Sequence, residues 1–157
     1  SAQINTFPDR HLGHMNLADA YVINGNYKQA IIVFNKIEEL YPSDPDNYFN
    51  RGIAYGTVGL HQKAIEDFIK AIKLSHQNAK YYNELGIAYG SIGNYRQAVD
   101  NLNEAVKLDP QLAKAYYFRG MAYKSLGINN LFIVDFRRAA QLGHKKAQDY
   151  LSAAGIK

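Results

Sequence analysis

The chain has 157 residues, 47% of them hydrophobic and 20% charged, and carries no cysteine. That composition supports a buried core, rules out disulfides, thiolate metal sites and cysteine nucleophiles, and offers no apolar run of about 18 residues to cross a membrane. The net charge of +4 is uneven: residues 113–157 hold eight Lys and Arg against two acids, and residues 1–112 hold ten against twelve. A nucleic-acid binder carries a denser basic stripe. The chain starts at Ser1 rather than methionine, which reads as a processed or cloned piece. A soluble protein is expected, and its compartment is left open between the cytoplasm and, if a signal or anchor precedes Ser1, the periplasm.

In chain order, residues 1–10 read as a partly disordered leader. Four blocks of 34 residues follow, at 11–44, 45–78, 79–112 and 113–146, and a short helix over 147–157 covers the last block. Six columns recur in register through the blocks. They are Ala18, Gly52, Gly86 and Gly120; Tyr21, Tyr55, Tyr89 and Tyr123; Gly25, Gly59, Gly93 and Gly127; Ala30, Ala64, Ala98 and Phe132; Phe34, Phe68, Leu102 and Phe136; and Ile37, Ala71, Ala105 and Ala139.

Each block reads as two amphipathic helices of about 12–14 residues. The glycine column from Gly25 to Gly127 ends the first helix in a left-handed cap. The small residues at Ala18, Gly52, Gly86 and Gly120 let the paired helices approach, and Phe68 and its equivalents fill the space around them. Pro42 and Pro110 stop helices, while Asp44 followed by Pro45 starts one. Ala147, Tyr150, Leu151 and Ala154 share one face of the last helix. A helix pair with one buried face must stack on neighbours, so the expected fold is all-α and solenoidal.

These columns resemble the tetratricopeptide repeat over residues 11–146. Block three carries its pattern nearly complete, as Tyr82, Leu85, Gly86, Tyr89, Ala98, Leu102, Ala105 and Pro110. Arg51 and Arg119 depart from it in place of leucine, with packed stems and exposed heads expected. Phe132 departs in place of alanine, so the last pair is expected to be splayed or repacked. His76 and His144 stand where the pattern has proline.

The resemblance implies a right-handed superhelix of antiparallel helix pairs whose first helices line a concave groove, and an adaptor that holds a peptide or helix of a partner there. The groove residues expected on that basis are Phe49, Asn50 and Ile53 in block two; Lys80, Asn83, Glu84 and Ile87 in block three; and Lys114, Tyr117, Phe118 and Met121 in block four. Ile53, Ile87 and Met121 form one apolar column, either a binding strip or packing between neighbouring first helices. Asn16, Asn50 and Asn83 offer amide donors and acceptors to a ligand backbone.

A carboxylate clamp for heat-shock chaperone tails, as some family members have, would need lysine at Met15, asparagine at Asp19 and arginine at Glu84. Only Asn50 and Lys80 match it, and Asp19 and Glu84 would repel a carboxylate. Chaperone-tail binding is not expected. His11 and His14 lack a convincing third metal ligand. Gly52, Gly56 and Gly59 lack the Lys-Ser/Thr of a phosphate loop. Arg137, Arg138, Lys145 and Lys146 form a basic patch that reads as a solvated cap.

No catalytic constellation, cofactor or metal is expected. The leading expectation is a non-catalytic interaction module with a protein partner. The alternatives are a self-assembling scaffold that joins copies through its groove or ends, or the tethering domain of a larger protein. The repeats read as bacterial in style.

Overall fold

The computed structural model describes residues 7–156, with side chains from Arg10 onward. All elements among these residues are α-helices: α1 Phe7–Ile23, α2 Tyr27–Leu40, α3 Pro45–Thr57, α4 His61–Leu74, α5 Ala79–Ser91, α6 Tyr95–Leu108, α7 Ala113–Ser125, α8 Asn129–Gln141 and α9 Lys145–Ala153. The first six residues of the expected leader lie outside the described residues, and α1 already begins at Phe7. The helices fall into two compact units, α1–α4 and α5–α9.

Local chemistry sets the helix ends. Gly25, Gly59, Gly93 and Gly127 have φ of 73°, 81°, 80° and 75°, a region that residues with a Cβ enter at a cost. That turn sends the next amide back to a tyrosine carbonyl five residues earlier. Asn26 donates to Tyr21 O at 2.8 Å, Leu60 to Tyr55 O at 2.8 Å, Asn94 to Tyr89 O at 2.9 Å and Ile128 to Tyr123 O at 2.9 Å, which satisfies carbonyls that the helix end leaves open. At the start of α3, Pro45 holds the first position and the Asp44 carboxylate accepts from Asp46 N at 3.0 Å.

Unit 1 packs α1, α2 and α3 around Ala18, Ala30, Phe34, Ile37 and Ala54. Gly52 then brings α3 onto α4, where an added Cβ would lie 2.6 Å from the Phe68 ring. Unit 2 repeats the device twice: a Cβ on Gly86 would meet Leu102 Cγ at 2.6 Å, and one on Gly120 would meet Phe136 Cδ2 at 2.7 Å. The last pair is therefore not splayed but repacked. Phe132 is buried with its ring edge-on to Phe136 at 4.5 Å and to Tyr150 of α9 at 5.3 Å. Ala147 and Leu151 of α9 are buried in the same cluster. Ala154, expected on that face, is exposed because α9 ends at Ala153.

The arginines also differ from expectation. Arg51 is only 5% exposed, head included. Its Nε and Nη2 donate to Asp67 at 2.7 and 2.8 Å, and its Nη1 donates to Asn35 at 2.7 Å and to Glu38. Arg119 repeats the arrangement, with two bonds to Asp135 at 2.8 and 2.7 Å and one to Asn103 at 2.9 Å. The position faces the second helix of the preceding pair, so it lies inside the stack and a charge there needs buried partners. Burial works against both charged forms. The Asp67 and Asp135 carboxylates outweigh it and hold both guanidiniums above the ordinary arginine range.

The close approach at Gly86 yields a test of opposite signs. Gly86→Ala forces Leu102 and the Ala98 carbonyl aside and is expected to cost about 1–3 kcal/mol, more than the helix propensity it gains. At Gly90 the nearest atom to an added Cβ is Ala98 Cβ at 3.9 Å, so Gly90→Ala is expected to be neutral or to stabilise by up to about 1 kcal/mol. Denaturant unfolding of both variants against the parent measures the two signs.

Candidate functional site

The expected groove residues sit on first helices and are taken unit by unit. In unit 1, Phe49, Asn50 and Ile53 lie along α3 and are half-buried. The Phe49 ring leans toward the core, 5.9 Å from Phe68.

In unit 2 the side chains converge. Ile87 of α5 and Tyr117, Phe118 and Met121 of α7 line one cleft of about 300 Å³, closed at its floor by Gly86, Ala98 and Ala122. It exists because Gly90 carries no side chain and the small Ala98 faces it, 3.9 Å from where a Cβ on Gly90 would lie. One repeat later, Lys124 and Phe132 stand at the positions of Gly90 and Ala98. There Phe132 is buried and Lys124 Nζ lies 5.2 Å above its ring, so the space is filled. Tyr95, Ser91 and Ser125 also line the cleft, and sequence reasoning missed them. Tyr95 opens a second helix, outside the first-helix face on which the groove was expected. Its signal was the matching Tyr27 at the head of α2.

The polar residues beside the cleft satisfy one another. The Glu84 carboxylate accepts from Lys114 Nζ at 2.7 Å and from Asn83 Nδ2 at 2.9 Å. Lys114 Nζ also lies 6.0 Å over the Phe118 ring. Lys80 is exposed at the start of α5. Asn83 is a correction. Expected to face a ligand, it is 2% exposed, with its amide turned to Glu84. It shares a column with Phe49 and Tyr117, and that column points toward the core. The Tyr117 ring packs on Phe136 at 5.1 Å and stacks on His144 at 4.1 Å. Burial, with the charge of Lys146 behind it, lowers the His144 pKa from its ordinary value and favours the neutral, stacking ring.

The two histidines weighed as metal ligands are engaged elsewhere: His11 pairs with Asp44 at 2.8 Å, and His14 donates to the Arg10 carbonyl at 2.7 Å. Among the described residues no helix is long and apolar enough to cross a membrane.

A family described as TPR repeat matches residues 91–127, and two described as Tetratricopeptide repeat match residues 2–45 and residues 45–78 with 113–142. No curated protein matches the chain. Among solved structures, a crystal structure of MamA is 26% identical over 90% of this chain and 83% of its own, with a TM-score of 0.81. The TPR domain of Arabidopsis OM64 is 29% identical over 70% of this chain and 95% of its own, with a TM-score of 0.65. YrrB, described as a TPR protein with an unusual peptide-binding site, is 21% identical over 85% of this chain and 70% of its own, with a TM-score of 0.75, and shares the fold. The chain belongs to the tetratricopeptide repeat family, an all-α solenoid of antiparallel helix pairs used as an interaction and scaffold module.

Proposed function

We propose that this chain is a non-catalytic interaction module that holds a peptide or helix of a partner protein against its first helices. The observation that carries the reading is the apolar cleft of α5, α6 and α7. Its volume of about 300 Å³ lies at the low end for ligand pockets and suits a few side chains of a peptide rather than a large cofactor. Met121 is 39% exposed and, with Ile87 and Phe118, supplies an apolar anchor. Tyr95, Ser91 and Ser125 supply hydroxyls to a ligand backbone. Phe49, Asn50 and Ile53 occupy the matching columns of α3, and Lys80 adds charge at the start of α5. Glu84, already paired with Lys114, disfavours a chaperone carboxylate tail at that place.

The cleft is tested with a peptide selected against the protein from a random displayed library. Ile87→Ala with Met121→Ala is expected to weaken that peptide about tenfold, while helicity stays unchanged. Undiminished affinity contradicts the cleft.

A second reading, self-assembly through an end, is favoured by α1. Leu17 is 47% exposed, whereas Arg51 and Leu85 in its column are 5% and 4% exposed. Ala20 is exposed, whereas its equivalents Ala54, Ala88 and Ala122 are buried. Such a surface is covered when a further helix stacks on it. Sedimentation across a concentration series is expected to show a dimer that Leu17→Glu abolishes; a strict monomer excludes self-assembly.

A further inference from the structure

The two units hold the same three-helix arginine cluster in different charge environments. In unit 1 the Arg51 Nη1 has two acceptors, Asn35 and Glu38. The Glu38 carboxylate also accepts from Lys70 Nζ of α4 at 3.1 Å, so one carboxylate bridges an arginine and a lysine. The cleft around them is balanced, with Arg51, Lys63 and Lys70 facing Glu38, Glu66 and Asp67.

Two repeats later, in unit 2, Arg119, Asp135 and Asn103 repeat the cluster, and Arg138 stands where Lys70 stood. The two balancing acids do not recur. Val106 replaces Glu38 and Val134 replaces Glu66. The resulting cleft, about 460 Å³, is lined by Arg119, Arg137 and Arg138 with Asp135 as its single acid, beside Tyr116 and Val134. Both Asp135 oxygens are taken by Arg119. Arg119 Nη1 keeps only the Asn103 acceptor. Among the described residues Arg138 reaches no carboxylate; it makes a long 3.4 Å bond to the Pro110 carbonyl and lies 5.8 Å over the Tyr116 ring. The ring contact favours this placement of the guanidinium, which lowers the ordering cost of binding.

We propose that this arginine cleft binds a carboxylate side chain of an acidic protein segment, seated between Arg119 and Arg138 as Glu38 is seated between Arg51 and Lys70. Unit 1 shows that this position accepts a carboxylate and that one carboxylate satisfies both cations. Arg137, on the rim, meets a second acid of the segment. The surface uses Tyr116 and Arg119 of α7, whereas the apolar cleft uses Tyr117, Phe118 and Met121. The two surfaces are therefore independent, and either can fail alone.

Fluorescence anisotropy at low salt tests this with three labelled probes: an octapeptide of alternating Glu and Ser, the same peptide with Gln for Glu, and a short oligothymidylate. The Glu peptide is expected to bind about tenfold more tightly than the Gln peptide and no less tightly than the oligothymidylate. Arg138→Gln and Val106→Glu are each expected to lower its affinity about tenfold, and Val106→Glu to raise the melting temperature by supplying the carboxylate from within. Val106 packs against the core, so Val134→Glu, at a site 58% exposed, serves as a second variant that lowers affinity without touching packing. Lys73→Gln, at an exposed lysine of α4, leaves binding unchanged. Equal affinity for the Glu and Gln peptides, undiminished binding by both Arg138→Gln and Val134→Glu, or tighter binding of the oligothymidylate overturns the proposal.

Discussion

A guanidinium buried where three helices meet constrains everything around it. Arg51 is out of water, so its charge must be matched inside the protein. Its partners Asn35 and Asp67 stand 16 residues before and 16 after it, on the two second helices that flank α3. The bonds close only if both turns have the right length and both helix pairs are drawn tight. The turn over residues 41–44, closed by the Asp44 N bond to Tyr41 O, and the Gly59 turn meet the first condition, and the Gly52 contact with Phe68 meets the second. Unit 2 satisfies Arg119 in the same way. Block three dispenses with the charge altogether, since Leu85 takes the arginine position at 4% exposure and Asn101 takes that of the aspartate. One chain therefore uses both an ion pair and an apolar side chain at equivalent places, as expected when the two are nearly equal in free energy.

The helices and their turns were legible because they rest on repetition. Gly25, Gly59, Gly93 and Gly127 announce the turns, and the tyrosines ahead of them accept the capping bonds. The arginine head was not legible from residue type, which puts Arg at the surface. Its signal lay at a distance, in aspartates 16 residues after and asparagines 16 residues before Arg51 and Arg119. Asn83 was misplaced because successive helix positions turn by about 100°, and its column lies on the core side of the face. Phe132 announced a change in the last pair, but the change depended on Tyr150, which arrives from α9.

Both candidate surfaces of unit 2 arise from side chains that are missing. The apolar cleft opens because Gly90 and Ala98 leave room that Lys124 and Phe132 fill one repeat later. The arginine cleft is positive because Val106 and Val134 stand where unit 1 has glutamates. The basic excess of residues 113–157 thus becomes specific: Lys145 is paired with Asp149 and Lys114 with Glu84, while Arg137 and Arg138 line the cleft beside an Asp135 already held by Arg119. Helix α7 carries both surfaces, each on its own face.

The central claim is that the buried arginines hold their helices through matched partners and not by charge alone. Denaturant unfolding of Asp67→Asn and of Asp67→Asn with Arg51→Leu measures it directly. The single change strips Arg51 of its two-pronged carboxylate and is expected to cost about 3–5 kcal/mol. The double change installs the block-three residues and is expected to return to within about 1.5 kcal/mol of the parent. A double variant no more stable than the single one would contradict the claim.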